Sequence, residues 1–165
     1  MSDYKVLITT AGVGLRLGEA TKYTNKCLMR VGDKPVLSHI IEAYPEDVEM
    51  VISVGYFADH VKEFVKLAYP ERKIEFVEVS NYEGEGSSMG YSMLLAKDKL
   101  QCPFVIHTGD TIIRDNIPEP SCNWHGGAKG EENSVYKTFT VMGDEVKKLH
   151  DRGSLEADFL GIGIS

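Results

Sequence analysis

Gly12, Gly14, Arg16 and Lys26 lie close together near the start of the chain, inside the segment Thr9-Thr10-Ala11-Gly12-Val13-Gly14-Leu15-Arg16-Leu17-Gly18 and just beyond it. The largely apolar run Tyr4 to Ile8 before them reads as a first strand, so the glycines sit where a buried strand emerges into a loop. Glycine there lets backbone N–H groups approach a phosphate chain without interference from Cβ. Arg16 and Lys26 add fixed positive charge at the same mouth, the combination that a nucleoside triphosphate requires. Two better-known phosphate loops do not fit. The third glycine, Gly18, comes one place late for a dinucleotide fingerprint, and no acidic residue follows the second strand, where Gly55-Tyr56 stands. A Gly-Lys-Ser/Thr run is also missing.

Asp110 follows the strand-like run Phe104-Val105-Ile106-His107-Thr108 after Gly109. A carboxylate at the tip of a buried strand suits a hard cation such as Mg²⁺, and it equally suits a turn. His107 lies on the strand itself and reads as a packed core histidine. A second glycine-rich stretch, Glu83-Gly84-Glu85-Gly86-Ser87-Ser88-Met89-Gly90, leads into Tyr91, Leu94 and Leu95, as a loop feeding a helix would. Its backbone donors and two hydroxyls could meet a base or ribose, and Ser87 or Ser88 could also cap the helix.

These groups need a scaffold. Leu37, Ile40, Ile41 and Tyr44 keep helical spacing behind Pro35, and Phe57, Val61, Phe64, Val65 and Ala68 repeat it. Short β-branched runs at 49–54, 74–79 and 103–107 alternate with these helices. The fold class expected is α/β, a mostly parallel central sheet with helices on both faces. In such sheets ligands bind beyond the carboxyl ends of the strands, so the ends of the first, third and fourth strands should converge. Past Asp110 a polar stretch with Pro118, Pro120, Gly126, Gly127 and Gly130 reads equally as a long loop or insertion on the active-site side or as a disordered connection. Two more strands are expected at 134–141 and 159–164, separated by a turn at Gly143-Asp144 and a charged segment through Asp151-Arg152-Gly153.

The 165 residues, 42% hydrophobic and 26% charged, suit one soluble globular domain. No apolar run is long enough to span a membrane, and no signal-peptide pattern opens the chain, so a cytoplasmic location is expected. Cys27, Cys102 and Cys122 lack metal-ligand spacing and read as free thiols. A net charge of −7 argues against a nucleic-acid partner. Between residues 16 and 34, however, five cations face only Glu19 and Asp33, which marks a place for a small polyanion. Lys22 and Lys34 read as solvated.

Taken in order, 11–17, Asn25-Lys26, Lys34-Pro35, Gly55-Tyr56, Gly86-Ser87-Ser88 and Gly109-Asp110 resemble the signature of the sugar-phosphate nucleotidyltransferases, which include the cytidylyltransferases of phosphocholine and related phosphates. The resemblance spans nearly the whole chain and implies a Rossmann-like nucleotidyltransferase fold of the GT-A kind. It implies that Ala11, Gly12 and Gly14 line the nucleotide, with Arg16 and Lys26 on the phosphates as the catalytic cations. Asn81, Gly86, Ser87 and Ser88 would meet base or ribose, and Asp110 would hold Mg²⁺. The chain departs from the family pattern in having Thr9-Thr10 before Ala11, Leu15 before the arginine, Asn25 in place of a proline, and Asp151-Arg152 in place of an acidic-Lys pair.

The reaction implied is transfer of a nucleotidyl group from a nucleoside triphosphate to a sugar 1-phosphate or similar phosphate monoester, with release of pyrophosphate. A non-catalytic nucleotide-binding or regulatory module on the same fold is the alternative. Within a single domain, 1–117 would form the nucleotide-binding half and 118–165 part of the acceptor-binding half. A strand of apolar and glycine residues that ends at Ile164, one residue before Ser165, leads to the expectation of a C-terminally truncated chain.

Overall fold

The structure is a computed structural model that describes residues 2–130, 136–151 and 157–165. The chain forms two compact units, one up to Cys122 and one from Asn123 onward. The first is built on four parallel strands: β1 (Lys5–Thr9), β2 (Glu49–Val54), β3 (Ile74–Glu78) and β4 (Phe104–Thr108). They lie in the order β3-β2-β1-β4, with Leu7 level with Val51 and Ile106. Val6, Leu7 and Ile8 are each fully buried, which an unbroken apolar strand requires when both faces are covered.

On one face Leu7 and Val51 pack with Ala96 and Leu100, at and beyond the end of helix α3 (Met89–Ala96). The opposite face carries His107 in register with Ile8, and His107 meets Tyr44 just past helix α1 (Val36–Glu42). Leu37, Ile40 and Ile41 are buried at the spacing that the sequence dictates. Helix α2 (Ala58–Ala68) buries Val61 and Val65, and Phe57 caps it in the left-handed region at φ 50°. Strand β3 forms one edge of the sheet. Its Glu75 pairs with Lys99 and its Glu78 with Lys62.

Two local features were not anticipated. Leu15–Thr21 winds into 3-10 turns, and Arg30–Val31 pairs with Lys34–Pro35 around Gly32 as a two-residue ribbon.

The second unit is an antiparallel sheet of β5 (Gly127–Ala128), β6 (Thr138–Met142), β7 (Glu145–His150) and β8 (Phe159–Gly161), in the order β5-β8-β6-β7. Residues 134–135 of the expected strand lie outside the described residues. The charged segment after the Gly143-Asp144 turn is a correction: Glu145–His150 forms a strand paired with β6, with an irregularity at Thr140/Val141. With 145–149 exposed, hydropathy carries no alternation there, and backbone pairing decides the conformation. Phe139 is buried and stacks on Phe159 at 5.7 Å. No helix among the described residues is long and apolar enough to cross a membrane.

Candidate active site

Three strand exits of the first unit are laced together by backbone bonds. Thr10 gives both its N–H and its hydroxyl to the Ser53 carbonyl, at 3.0 and 2.8 Å. Tyr56 N–H donates to the Ala11 carbonyl and Gly109 N–H to the Thr9 carbonyl, each at 2.9 Å. Glycine is needed at the closest approach: a Cβ on Gly109 would stand 2.9 Å from the Thr9 carbonyl oxygen and from Thr10 Cγ2. The ends of β1, β2 and β4 are thereby drawn to one place.

From this knot rises the first glycine loop. Gly14 has φ 74° and its carbonyl accepts from Leu17 N–H at 2.9 Å, which starts the 3-10 turns. A side chain on Gly14 would press on Lys26, whose Cβ and Cδ would lie 3.4 Å from the added carbon. Space is open beside Gly12, where a Cβ would meet nothing within 4 Å. Ala11 is buried and Arg16 is exposed on the loop.

Lys26 Nζ lies 2.6 Å from Asp110 Oδ2. Burial pushes the Asp110 carboxyl up, but the Lys26 bond and charge, the Thr108 hydroxyl and the Arg16 charge outweigh it and hold the group below its ordinary range. Asp110 is therefore an anion facing two cations. The preceding residue of the lysine is held just as firmly: Asn25 is fully buried. Its Nδ2 donates to the Thr10 carbonyl at 2.8 Å and to the Tyr56 carbonyl at 2.7 Å, while Oδ1 accepts from Cys27 N–H at 3.0 Å. Burial pushes the Cys27 thiol up to about 12, so it stays protonated beside Lys26.

His107 is the core histidine that its place on the strand suggested. Its Nε2 donates to the Thr111 carbonyl and its Nδ1 accepts from the Tyr44 hydroxyl, both at 2.8 Å. Burial keeps it neutral.

The second glycine loop is folded on itself. Gly84 and Gly86 take φ of 76° and 81°, Asn81 Nδ2 donates to the Glu85 carbonyl at 3.2 Å, and the Ser87 hydroxyl donates to the Gly84 carbonyl at 2.7 Å. Ser88 Oγ accepts from Tyr91 N–H at 3.0 Å and caps α3. Asn81, Gly86, Ser87 and Ser88 thus form one turn. It connects to the strand exits through Tyr82, which lies over Gly55, itself close to the Ala11 carbonyl. The structure bonds Lys26 to Asp110, sets Gly14 where an added side chain would crowd Lys26, couples Arg16 to Asp110 by charge, and keeps the 81–88 group as a neighbouring cluster. Sequence reasoning missed Tyr82 and the anchoring by Asn25. A lone Asn in a polar stretch looks like any turn residue, and only its burial separates it.

Among the described residues no three His, Cys, Asp or Glu side chains gather as a metal cluster. What the site offers is an anion between cations beside half-buried glycine backbone, an arrangement that can hold and neutralise a polyanion. No family model matches the chain. A bifunctional protein GlmU from Methanococcus maripaludis is 31% identical over 114 residues, 68% of this chain and 26% of its own length. A probable mannose-1-phosphate guanylyltransferase from Oryza sativa is 31% identical over 159 residues, 88% of this chain and 43% of its own. This chain belongs with the sugar-phosphate nucleotidyltransferases. The fold is theirs as well: a UDP-glucose pyrophosphorylase solved with UDP-glucose superposes with a TM-score of 0.80 at 17% identity, over 99% of this chain and 75% of that one. The chain spans about a quarter of the length of the GlmU relative and less than half that of the guanylyltransferase.

Proposed function

We propose that this chain carries the nucleotide site of an enzyme that moves a nucleotidyl group from a nucleoside triphosphate to a sugar 1-phosphate or similar phosphate monoester, releasing pyrophosphate. The observation that carries the reading is the Lys26–Asp110 pair at the strand ends, with the Gly14 backbone set close against Lys26.

In the reaction an acceptor phosphate oxygen forms a bond to the α-phosphorus, and the bond to the bridging oxygen of pyrophosphate breaks. The nucleophile is already an anion near neutral pH, so no side chain has to remove a proton. The obstacle is repulsion between two polyanions, and cations fixed on a rigid frame reduce it most where charge builds in the transition state. Arg16 and Lys26 take that role, Ala11, Gly12 and Gly14 line the phosphates, and Asn81, Gly86, Ser87 and Ser88 meet base or ribose. Residues 1–117 are assigned to the nucleotide and 118–165 to the acceptor.

Asp110 fits Mg²⁺ in a limited way, as one hard carboxylate oxygen donor, with no group of three possible ligands among the described residues. That suits an ion which keeps waters and takes its other ligands from substrate phosphates. Bound there, Mg²⁺ would supply further charge neutralisation. Location in the cytoplasm goes with this reading, since nucleoside triphosphates and the three free thiols both suit a reducing interior.

The test is to incubate the chain with each nucleoside triphosphate, with and without Mg²⁺. A panel of mannose 1-phosphate, glucose 1-phosphate and phosphocholine serves as acceptor, and pyrophosphate is assayed. One productive pair is expected. Tight nucleotide binding with no pyrophosphate from any pair would favour a non-catalytic module instead.

A further inference from the structure

Lys26 belongs to a three-residue 3-10 turn, Lys26–Leu28, too short to hold a flexible side chain in place by itself. What fixes it comes from the residue before. Asn25 uses both donors and its acceptor at once: the Thr10 carbonyl beyond β1, the Tyr56 carbonyl beyond β2, and the Cys27 N–H that opens the turn. No water reaches this amide, since Asn25 is fully buried. The lysine that follows spans to Asp110 beyond β4. Asn25 and Lys26 together therefore join three strand ends.

We propose that Asn25 is the positioning residue for Lys26, with its side-chain amide acting as a clamp that sets where the lysine charge stands relative to Asp110. The argument is one of satisfaction. The Thr10 carbonyl receives its Asn25 N–H bond in a buried setting and the Tyr56 carbonyl in a partly buried one, and an alanine would leave both without them. The segment that carries Lys26 would then have to move outward to hydrate those groups, and the lysine would move with it. The importance of that position for turnover rests on the reading of Lys26 as a phosphate cation; the clamp itself does not.

The experiment measures position without substrate. Purified, folded chain is treated with limiting acetic anhydride, and acetylation of Lys26 is read by mass spectrometry as a ratio to exposed Lys66 in the same molecules. In the native chain Lys26 is half-buried and bonded to Asp110, so the ratio is low. Asn25→Ala is expected to raise it several-fold. Because that variant gives up all three hydrogen bonds, Asn25→Ser is measured beside it: serine retains a capping oxygen for Cys27 N–H but cannot reach both carbonyls. It too should raise the ratio. General loosening would also raise the half-buried, ion-paired Lys62, so a rise at Lys26 with Lys62 unchanged marks the effect as local. An unchanged ratio in folded Asn25→Ser overturns the proposal. In an active chain the variants should also lower kcat by more than they raise KM. If the ratio rises while the native chain releases no pyrophosphate, the clamp stands and the proposed reaction fails.

Discussion

Arg16 and Lys26 differ in how they are held, although the reaction asks the same of both. Lys26 is half-buried and bonded to Asp110, whereas Arg16 stands on an exposed loop. Neither contributes to the core, so removing either should leave folding intact while removing charge stabilisation. Arg16→Ala and Lys26→Ala should each reduce turnover by roughly 10²-fold or more. Steady-state kinetics checks this together with an unchanged far-ultraviolet spectrum, and near-native rates for both would take the phosphate role away from the loop. Asp110→Asn preserves shape and removes charge. It should abolish stimulation by Mg²⁺, whereas a retained metal dependence would leave Asp110 as a turn residue paired with a lysine. The types of these three residues were legible from spacing alone because charge after a strand end is informative. Asn25 was not legible, since its meaning lies in two carbonyls 15 and 31 residues away.

The central strands were readable because burial on both faces leaves an unbroken apolar run, and edge strand β3, whose residues are only partly covered, was readable from its apolar and β-branched residues. Expected boundaries at 49–54 and 74–79 meet β2 and β3 within a residue. Strand β7 was hidden, because 145–149 are exposed and their charges mask any alternation. Element packing also sets a pH dependence. His107 on β4 is buried against Tyr44, and its folded pKa lies below the ordinary value. The unfolded chain takes up a proton near pH 6.5 that the folded chain refuses, so this contribution is full above that pH. It declines as pH falls toward the lowered folded pKa. Urea midpoints at pH 7.5, 6.0 and 5.0 should fall with acidity, and His107→Gln should flatten the decline. A decline of equal steepness in that variant would assign it to other groups.

Among the described residues apolar burial is uneven: nearly every buried hydrophobic residue belongs to the first unit, while the second contributes Phe139 and Ile164. A small core opens more readily. Brief proteolysis under native conditions should cut beyond Cys122 first and leave a resistant fragment holding β1 to β4, read by intact-mass spectrometry. Early cleavage inside the four-stranded sheet would contradict this. Strand β3 carries a different consequence, for behaviour in concentrated solution. One side of its backbone is unpaired within the sheet, a ready template for a strand from another molecule. Glu75 and Glu78 stand on that edge, each tied to a lysine, so an approaching copy would have to strip water from two ion pairs and bring like charges together. Colloidal stability should then depend on these two carboxylates more than on the net charge of −7. A Glu75→Val, Glu78→Val chain should form larger particles by light scattering at protein concentrations where the native chain remains dispersed, and moving the same two charges' worth of neutralisation to Glu19 and Glu83 should not.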